Sequence, residues 1–323
     1  MTKYVIINAD DFGLSQGVNR GIIDAHQAGI VTSTSLIVNK PGLKDAVALA
    51  KRNPRLGVGL HFNLSDGKPI SPPFRIPSLV NIYGSFHNQS HQWHEEDVER
   101  ELHAQWELMQ RKGLSPTHID SHMHIHMDFL PVYHAIAKLA FRELVPVRFD
   151  LRHERVTPPV PVKTTDTLIR DKFHEPDSVM RLIRHIQWIQ DGTTEIMCHP
   201  GYVDEDLQKH STMIGEREAE LAHLTHRDIG TVIRAYGLHL IHYGQLPDPP
   251  TFHMPPPEPD PTSEPVPELL PDPLPEQNSI LTHATVHPKR RSSRTGARLI
   301  RKKARRFKAR TKRKKRRRSR RVY

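Results

Sequence analysis

The sequence predicts an α/β domain over residues 1–246, a (β/α) barrel with about seven strands. Two observations predict it. Short β-rich runs bounded by turn residues or charges alternate with segments of helical periodicity, the succession that gives a parallel sheet with helices outside. Chain length and strand number suit a barrel better than an open three-layer sheet, without deciding whether it closes. The first run, 4–9, stops at the acidic pair Asp10-Asp11, and Val18, Ile22, Ala25 and Gly29 then recur at helical spacing. Runs at 32–38 and 56–60 follow. Val98, Leu102, Trp106 and Met109 repeat the helical spacing, with Glu95, Glu96 and Asp97 in the first turn and Arg111, Lys112 and Gly113 at the end. Those ends suit the helix dipole and a glycine C-cap. Runs at 117–120, 146–149, 194–198 and 238–242 complete the set.

Composition sets this domain apart from the rest of the chain. The 323 residues are 36% hydrophobic and 26% charged, enough for one core-forming domain plus something less orderly. Of 47 Lys+Arg, 21 lie between Lys289 and Arg321, and no acid follows Glu276. Residues 1–288 therefore hold 26 basic against 36 acidic groups, a net of −10, so the isoelectric point near 9.8 describes the tail and not the body. Between Pro247 and Gln277 fall thirteen prolines and seven acids with no Lys or Arg. That composition cannot bury enough apolar surface to offset ordering, so 247–288 reads as a disordered acidic linker. The Lys/Arg-rich 289–323 reads as a disordered tail, since like charges at that density repel.

The same counts exclude whole function classes. A single cysteine, Cys198, removes both a disulfide scaffold and a Cys-based zinc site, so any metal must be held by His, Asp or Glu. Asn8 and Asp10-Asp11 interrupt the N-terminal apolar run before a signal-peptide core can form, and no run approaches the ~18 apolar residues of a membrane span. The expectation is a soluble cytoplasmic protein.

Ionisable residues gather at C-terminal strand ends: Asp10-Asp11, then His61, then the cluster Asp120-Ser121-His122-Met123-His124-Ile125-His126, then His199. In (β/α) barrels that rim holds the active site, because the βα loops converge there. Neighbouring carboxylates diverge, so one can hold a metal and the other a water. In an extended segment His122 and His126 would share a face with His124 opposite, so the three cannot all be ligands.

These stretches together resemble the carbohydrate deacetylases of the YdjC family, also called the chitooligosaccharide deacetylase or hopanoid-biosynthesis-associated deacetylase group. The matching segments are Val5-Ile6-Ile7-Asn8-Ala9-Asp10-Asp11-Phe12-Gly13-Leu14-Ser15, Gly29-Ile30-Val31-Thr32-Ser33-Thr34-Ser35, Gly57-Val58-Gly59-Leu60-His61-Phe62-Asn63-Leu64, Thr117-His118-Ile119-Asp120-Ser121-His122-Met123-His124-Ile125-His126 and Cys198-His199-Pro200-Gly201. The resemblance spans residue 4 to about 245. It implies a distorted (β/α) barrel of polysaccharide-deacetylase type, a divalent metal usually taken as Mg²⁺, and removal of acetyl groups from N-acetylated mono- or oligosaccharides. It also implies Asp11, His61 and His122 as metal ligands, Asp10 as general base, and a homodimer.

The residue chemistry agrees on the type of site but leaves the ion open. A mixed N/O donor set also suits Zn²⁺, Co²⁺, Mn²⁺ or Ni²⁺, while Mg²⁺ prefers oxygen. The expected reaction is metal-assisted amide hydrolysis, with Asp10 taking a proton from a metal-activated water and His199 as candidate acid for the departing amine. His199-Pro200-Gly201 reads equally as a turn. Asp120 is a candidate to orient a histidine ligand, and Arg148 either meets a sugar hydroxyl or pairs with Asp150. The competing class is a non-catalytic sugar-binding or scaffolding protein whose basic tail attaches it to an anionic polymer. Metal-dependent acetate release discriminates the two. For the tail, a solvated charge run or a reading frame that drifts after about residue 246 is simpler than a nucleic-acid function, though non-specific polyanion contact follows from its charge.

Overall fold

In chain order the elements are β1 (Lys3–Phe12), α1 (Gln16–Gln27), β2 (Ser33–Leu36), α2 (Leu43–Arg52), β3 (Gly57–Phe62), α3 (Glu95–Arg111), β4 (Ile119–Ser121), α4 (Ile125–Asp128) and α5 (Leu130–Glu143). They continue with β5 (Val162–Thr164), β6 (Thr167–Ile169), α6 (Ser178–Trp188), β7 (Gly192–Cys198), α7 (Glu205–His210), α8 (Gly215–Leu224), α9 (Arg227–Ala235), β8 (Leu238–Leu240) and β9 (Thr251–His253). This computed structural model describes residues 2–255 except 88, 89, 154, 248 and 249.

One curled parallel sheet runs in the order β4-β3-β2-β1-β7-β6, with β8 pairing the start of β1 at Lys3–Val5. β1 is central, and both of its faces are covered: Val5, Ile6, Ile7 and Ala9 are all fully buried. That explains why it reads as a continuous apolar run and not as an alternating one. Helix α1 begins where Ser15 Oγ accepts the Val18 N–H at 3.2 Å, and it turns Val18, Ile22 and Ala25 into the core. Helix α3 has the acidic first turn and buries Val98, Leu102, Trp106 and Met109 as its spacing predicts. Gly113 follows at φ +77°, a conformation that favours glycine.

Six of the seven expected strand runs form strands. The seventh, 146–149, carries a single parallel bridge, Val147 to Ile119, while the Val147 N–H donates to the Lys163 carbonyl on its other side at 2.8 Å. β5, β6 and β9 were not expected from the sequence. β9 lies past the expected domain boundary at 246 and pairs antiparallel with β5. There the His253 ring stacks on Phe149 at 4.3 Å, and its Nδ1 lies 2.6 Å from the Tyr133 hydroxyl. The rest of the expected linker and all of the basic tail, from 256 onward, lie outside the described residues. No helix among the described residues is long and apolar enough to cross a membrane.

Candidate active site

The ends of β1, β3, β4 and β7 meet at one rim of the sheet. β1 does not stop cleanly: its register with β2 shifts between Ala9 and Phe12, and Asp11 sits at φ +69°. A non-glycine residue in that left-handed region stores strain, which persists only where surroundings over-determine it. The consequence is that Asp10 and Asp11, both almost fully buried, face different partners.

Asp11 faces two histidines. Its Oδ1 lies 3.0 Å from His122 Nδ1 and 3.4 Å from His61 Nε2. Two donors each about 2.1 Å from one ion stand about 3.0 Å apart across an octahedral edge and about 3.4 Å across a tetrahedral one, so these separations fit a shared cation. The remaining nitrogen of His61 is accounted for. His61 Nδ1–H donates to Asp120 Oδ1 at 2.6 Å, and Ser35 Oγ, 3.0 Å from that nitrogen, donates to Asp120 Oδ2 at 2.9 Å. A carboxylate on the far nitrogen keeps the Nδ1 proton in place and leaves Nε2, which faces Asp11, as the nitrogen that would hold either a proton or a cation. The field has the right sign for a cation as well. Burial alone would lower the His61 pKa, yet Asp120, Asp11 and Asp10 raise it to about 10. For Asp11, burial pushes up and Arg217 and His122 pull down more strongly, so its carboxyl stays well below the usual range.

Asp10 is held by an arginine. Arg148, fully buried, donates Nη1–H to Asp10 Oδ2 at 2.7 Å and Nη2–H to Oδ1 at 2.6 Å. The same guanidinium reaches Asp120 Oδ2 at 2.8 Å and Glu195 Oε1 through Nε–H at 2.8 Å. Tyr243 in turn donates its hydroxyl to Glu195 Oε2. Asp10, His61 and Asp120 also group closely enough to hold an ion, but Arg148 already spans those two carboxylates. Burial pushes the Asp10 pKa up, but the charge and hydrogen bonds of Arg148, with His61, bring it below the usual carboxylate value, so Asp10 is ionised. His199 Nε2 stands 3.9 Å from Asp10 Oδ2, and its main-chain N–H donates to Glu220 Oε2 at 2.6 Å. Burial lowers the His199 pKa, and burial lifts Glu220 to about 7. A cavity of about 720 Å³ opens over these groups, with Asp10, Asp11, His61, His122 and His199 at its floor and Trp93 and Phe129 in its wall.

The sequence matches the family described as YdjC-like protein over residues 4–235. The chain belongs to that family. A carbohydrate deacetylase of Geobacillus stearothermophilus is 41% identical over 250 residues, covering 76% of this chain and 99% of that protein. A chitooligosaccharide deacetylase of Proteus mirabilis is 34% identical over 261 residues, covering 76% of this chain and all of that protein. Among solved structures, an Enterococcus faecalis protein described as acting in cellobiose-phosphate cleavage superposes with a TM-score of 0.69 at 30% identity, covering 75% of this chain and 98% of that one.

Within the YdjC-like region the structure brings Asp10, Asp11, His61, Asp120, His122, Arg148 and His199 together, and it corrects two expectations. The His122–His126 segment is not extended. Strand β4 ends at Ser121, Met123 and His124 take left-handed φ of 57° and 54°, and α4 starts at Ile125. His126 therefore turns away from His122 into the core, bonded to Ser121 Oγ at 2.5 Å and to the Arg148 carbonyl at 2.8 Å. Arg148 is too buried to meet a sugar and does not pair with Asp150, which Arg152 takes at 2.9 Å. Sequence reasoning missed Ser35, Glu195, Arg217 and Glu220. Ser35 ends a quoted segment of the YdjC resemblance, which was the available signal. Tyr243 lies beyond residues 4–235, over which the family matches.

Proposed function

We propose that this chain is a metal-dependent carbohydrate deacetylase, hydrolysing the acetamide of an N-acetylated sugar. The observation that carries this reading is the convergence of Asp11, His61 and His122 on one donor triangle beside an arginine-held Asp10, in a chain whose relatives are named carbohydrate deacetylases. A divalent cation, when bound, polarises a carbonyl and makes water more acidic. Everything else is work for the chain's own residues. Asp10, ionised and oriented by two N–H donors of Arg148, takes the proton of the attacking water. His199, facing the same volume 3.9 Å away, gives a proton to the departing nitrogen, because an amide anion is a very poor leaving group. Asp120 keeps the His61 proton on Nδ1 so that Nε2 is left as a donor.

The same reading takes Mg²⁺ as the ion by resemblance, with Zn²⁺, Co²⁺, Mn²⁺ and Ni²⁺ compatible with two imidazole donors. It also takes a cytoplasmic location, a homodimer, and non-specific polyanion contact through the tail. The test is acetate release from N-acetylglucosamine oligomers and other N-acetylated glycans, before and after chelation and with each ion restored singly. Release that stops on chelation and returns with one ion is the expected result. Sugar binding without acetate release under any ion would favour a non-catalytic sugar-binding protein instead.

A further inference from the structure

Helix α8 carries two almost fully buried charged side chains one turn apart, Arg217 and Glu220. Neither is spent on the other. Arg217 donates Nη2–H to Asp11 Oδ2 at 2.6 Å and anchors its own fork by donating Nε–H to the Met213 carbonyl at 3.1 Å. Glu220 accepts the His199 main-chain N–H at 2.6 Å, and the Arg217 carbonyl accepts the Gly201 N–H at 3.2 Å. One helix thus grips the end of β1 and the loop after β7.

We propose that α8 is the support that sets the geometry of the reaction, with Arg217 and Glu220 as positioning residues. Arg217 occupies Oδ2 of Asp11 and so commits Oδ1 to the triangle with His61 and His122. Glu220 fixes the His199 main chain and so the direction of its ring. The strained backbone of Asp11 needs such an outside hold. A free carboxylate could rotate or offer both oxygens to the ion, whereas an arginine on one oxygen leaves a single orientation.

This inference rests on the deacetylase reading, and its test separates the two. Mn²⁺ is titrated into chelator-treated full-length protein, with free Mn²⁺ read by electron paramagnetic resonance, alongside kcat and KM on an N-acetylglucosamine oligomer. Wild-type protein that neither binds Mn²⁺ nor releases acetate would overturn the deacetylase reading before any variant is made. With wild type active, Arg217→Met is expected to weaken Mn²⁺ binding by about tenfold or more, as loss of a group orienting a ligand does. Removing a neighbouring positive charge alone would tighten it, so unchanged or tighter binding overturns the role given to Arg217. Arg217→Lys, with one ammonium in place of the fork, is expected to recover part of the affinity. Glu220→Leu is expected to lower kcat about tenfold or more with KM and Mn²⁺ affinity held, and Glu220→Gln, which keeps an acceptor oxygen, to recover part of kcat. An unchanged kcat in Glu220→Leu overturns the role given to Glu220. Thermal unfolding checks that each variant is folded. If the Met or Leu variant is not, the Lys and Gln variants decide, since wild-type Mn²⁺ affinity in Arg217→Lys together with wild-type kcat in Glu220→Gln would leave α8 without the proposed role.

Discussion

Asp10 and Asp11 are neighbours in the chain, yet each answers to a different arginine, and that separation gives them different chemistry. Arg148 takes both oxygens of Asp10, whereas Arg217 takes only one of Asp11. Replacing Asp11, His61 or His122 with Ala should therefore lower metal affinity and turnover together. Asp10→Asn should keep the metal while kcat falls by roughly 10²–10⁴, the usual loss when a general base is removed. Metal analysis of the purified variants separates the two roles, and unchanged turnover in Asp10→Asn would falsify the assigned base. Arg148 makes a further prediction, about stability. Arg148→Met takes the shared cation from buried Asp10, Asp120 and Glu195, leaving Asp120 to His61 and Glu195 to the Tyr243 hydroxyl, and breaking a buried pair from one side costs about 3–5 kcal/mol. Urea unfolding should show it, and a loss within 1 kcal/mol would mean that water or protonation replaces the arginine. The carboxylates and histidines were legible in the sequence because each follows a strand-like run. Arg217 and Glu220 were not, since a charged pair inside an amphipathic helix reads as a solvated face, and only the fold shows that it points inward.

Helix α1 shows how an element feeds the site without touching chemistry. Its Gly21 packs so closely on the loop after β7 that an added Cβ would stand 2.5 Å from the Cα of Gly201. Alanine in a helix interior gains up to about 1 kcal/mol over glycine. Here the atoms in the way are backbone, which cannot swing aside, and overpacking of that kind costs about 1–3 kcal/mol. Gly21→Ala is therefore expected to be net destabilising by up to about 2 kcal/mol, and to lower kcat by shifting His199, two residues before Gly201. A stabilised and fully active variant would show that the loop gives way at no cost. The same contrast governs what the sequence revealed about elements. Helix α3 announces itself by periodicity, an acidic first turn and a terminal glycine, and β1 by a long apolar run. β5, β6 and β9 are three residues each, too short to show a period of two, and unlike the equally short β4 and β8 they lie outside the expected β-rich runs. They exist because the ladder of a neighbouring segment recruits them.

At the scale of the whole molecule, charge and fold divide the chain at different places. Alternating runs reveal the parallel sheet, but nothing local to Thr251–His253 indicates that a strand past the expected boundary would cover Tyr133 and Phe149. Those two rings are fully buried, and His253 stacks on both, at 5.7 Å and 4.3 Å. Truncation after Pro255 should therefore leave thermal stability and acetate release unchanged. Truncation after Leu246 should lower stability by about 1–3 kcal/mol, the usual value of one buried aromatic contact set. The charge argument makes the first truncation doubly informative. Residues 1–255 hold 26 Lys+Arg against 30 Asp+Glu, a net of −4, whereas the full chain carries +11. Full-length protein should bind a heparin column at low salt and elute as salt rises, through counterion release, while the 1–255 form should flow through. Binding of that kind is blind to sequence, so it measures electrostatics and not a nucleic-acid function. If the 1–255 protein failed to fold, lost deacetylation or still bound heparin, the tail could no longer be treated as an appendage to the catalytic body.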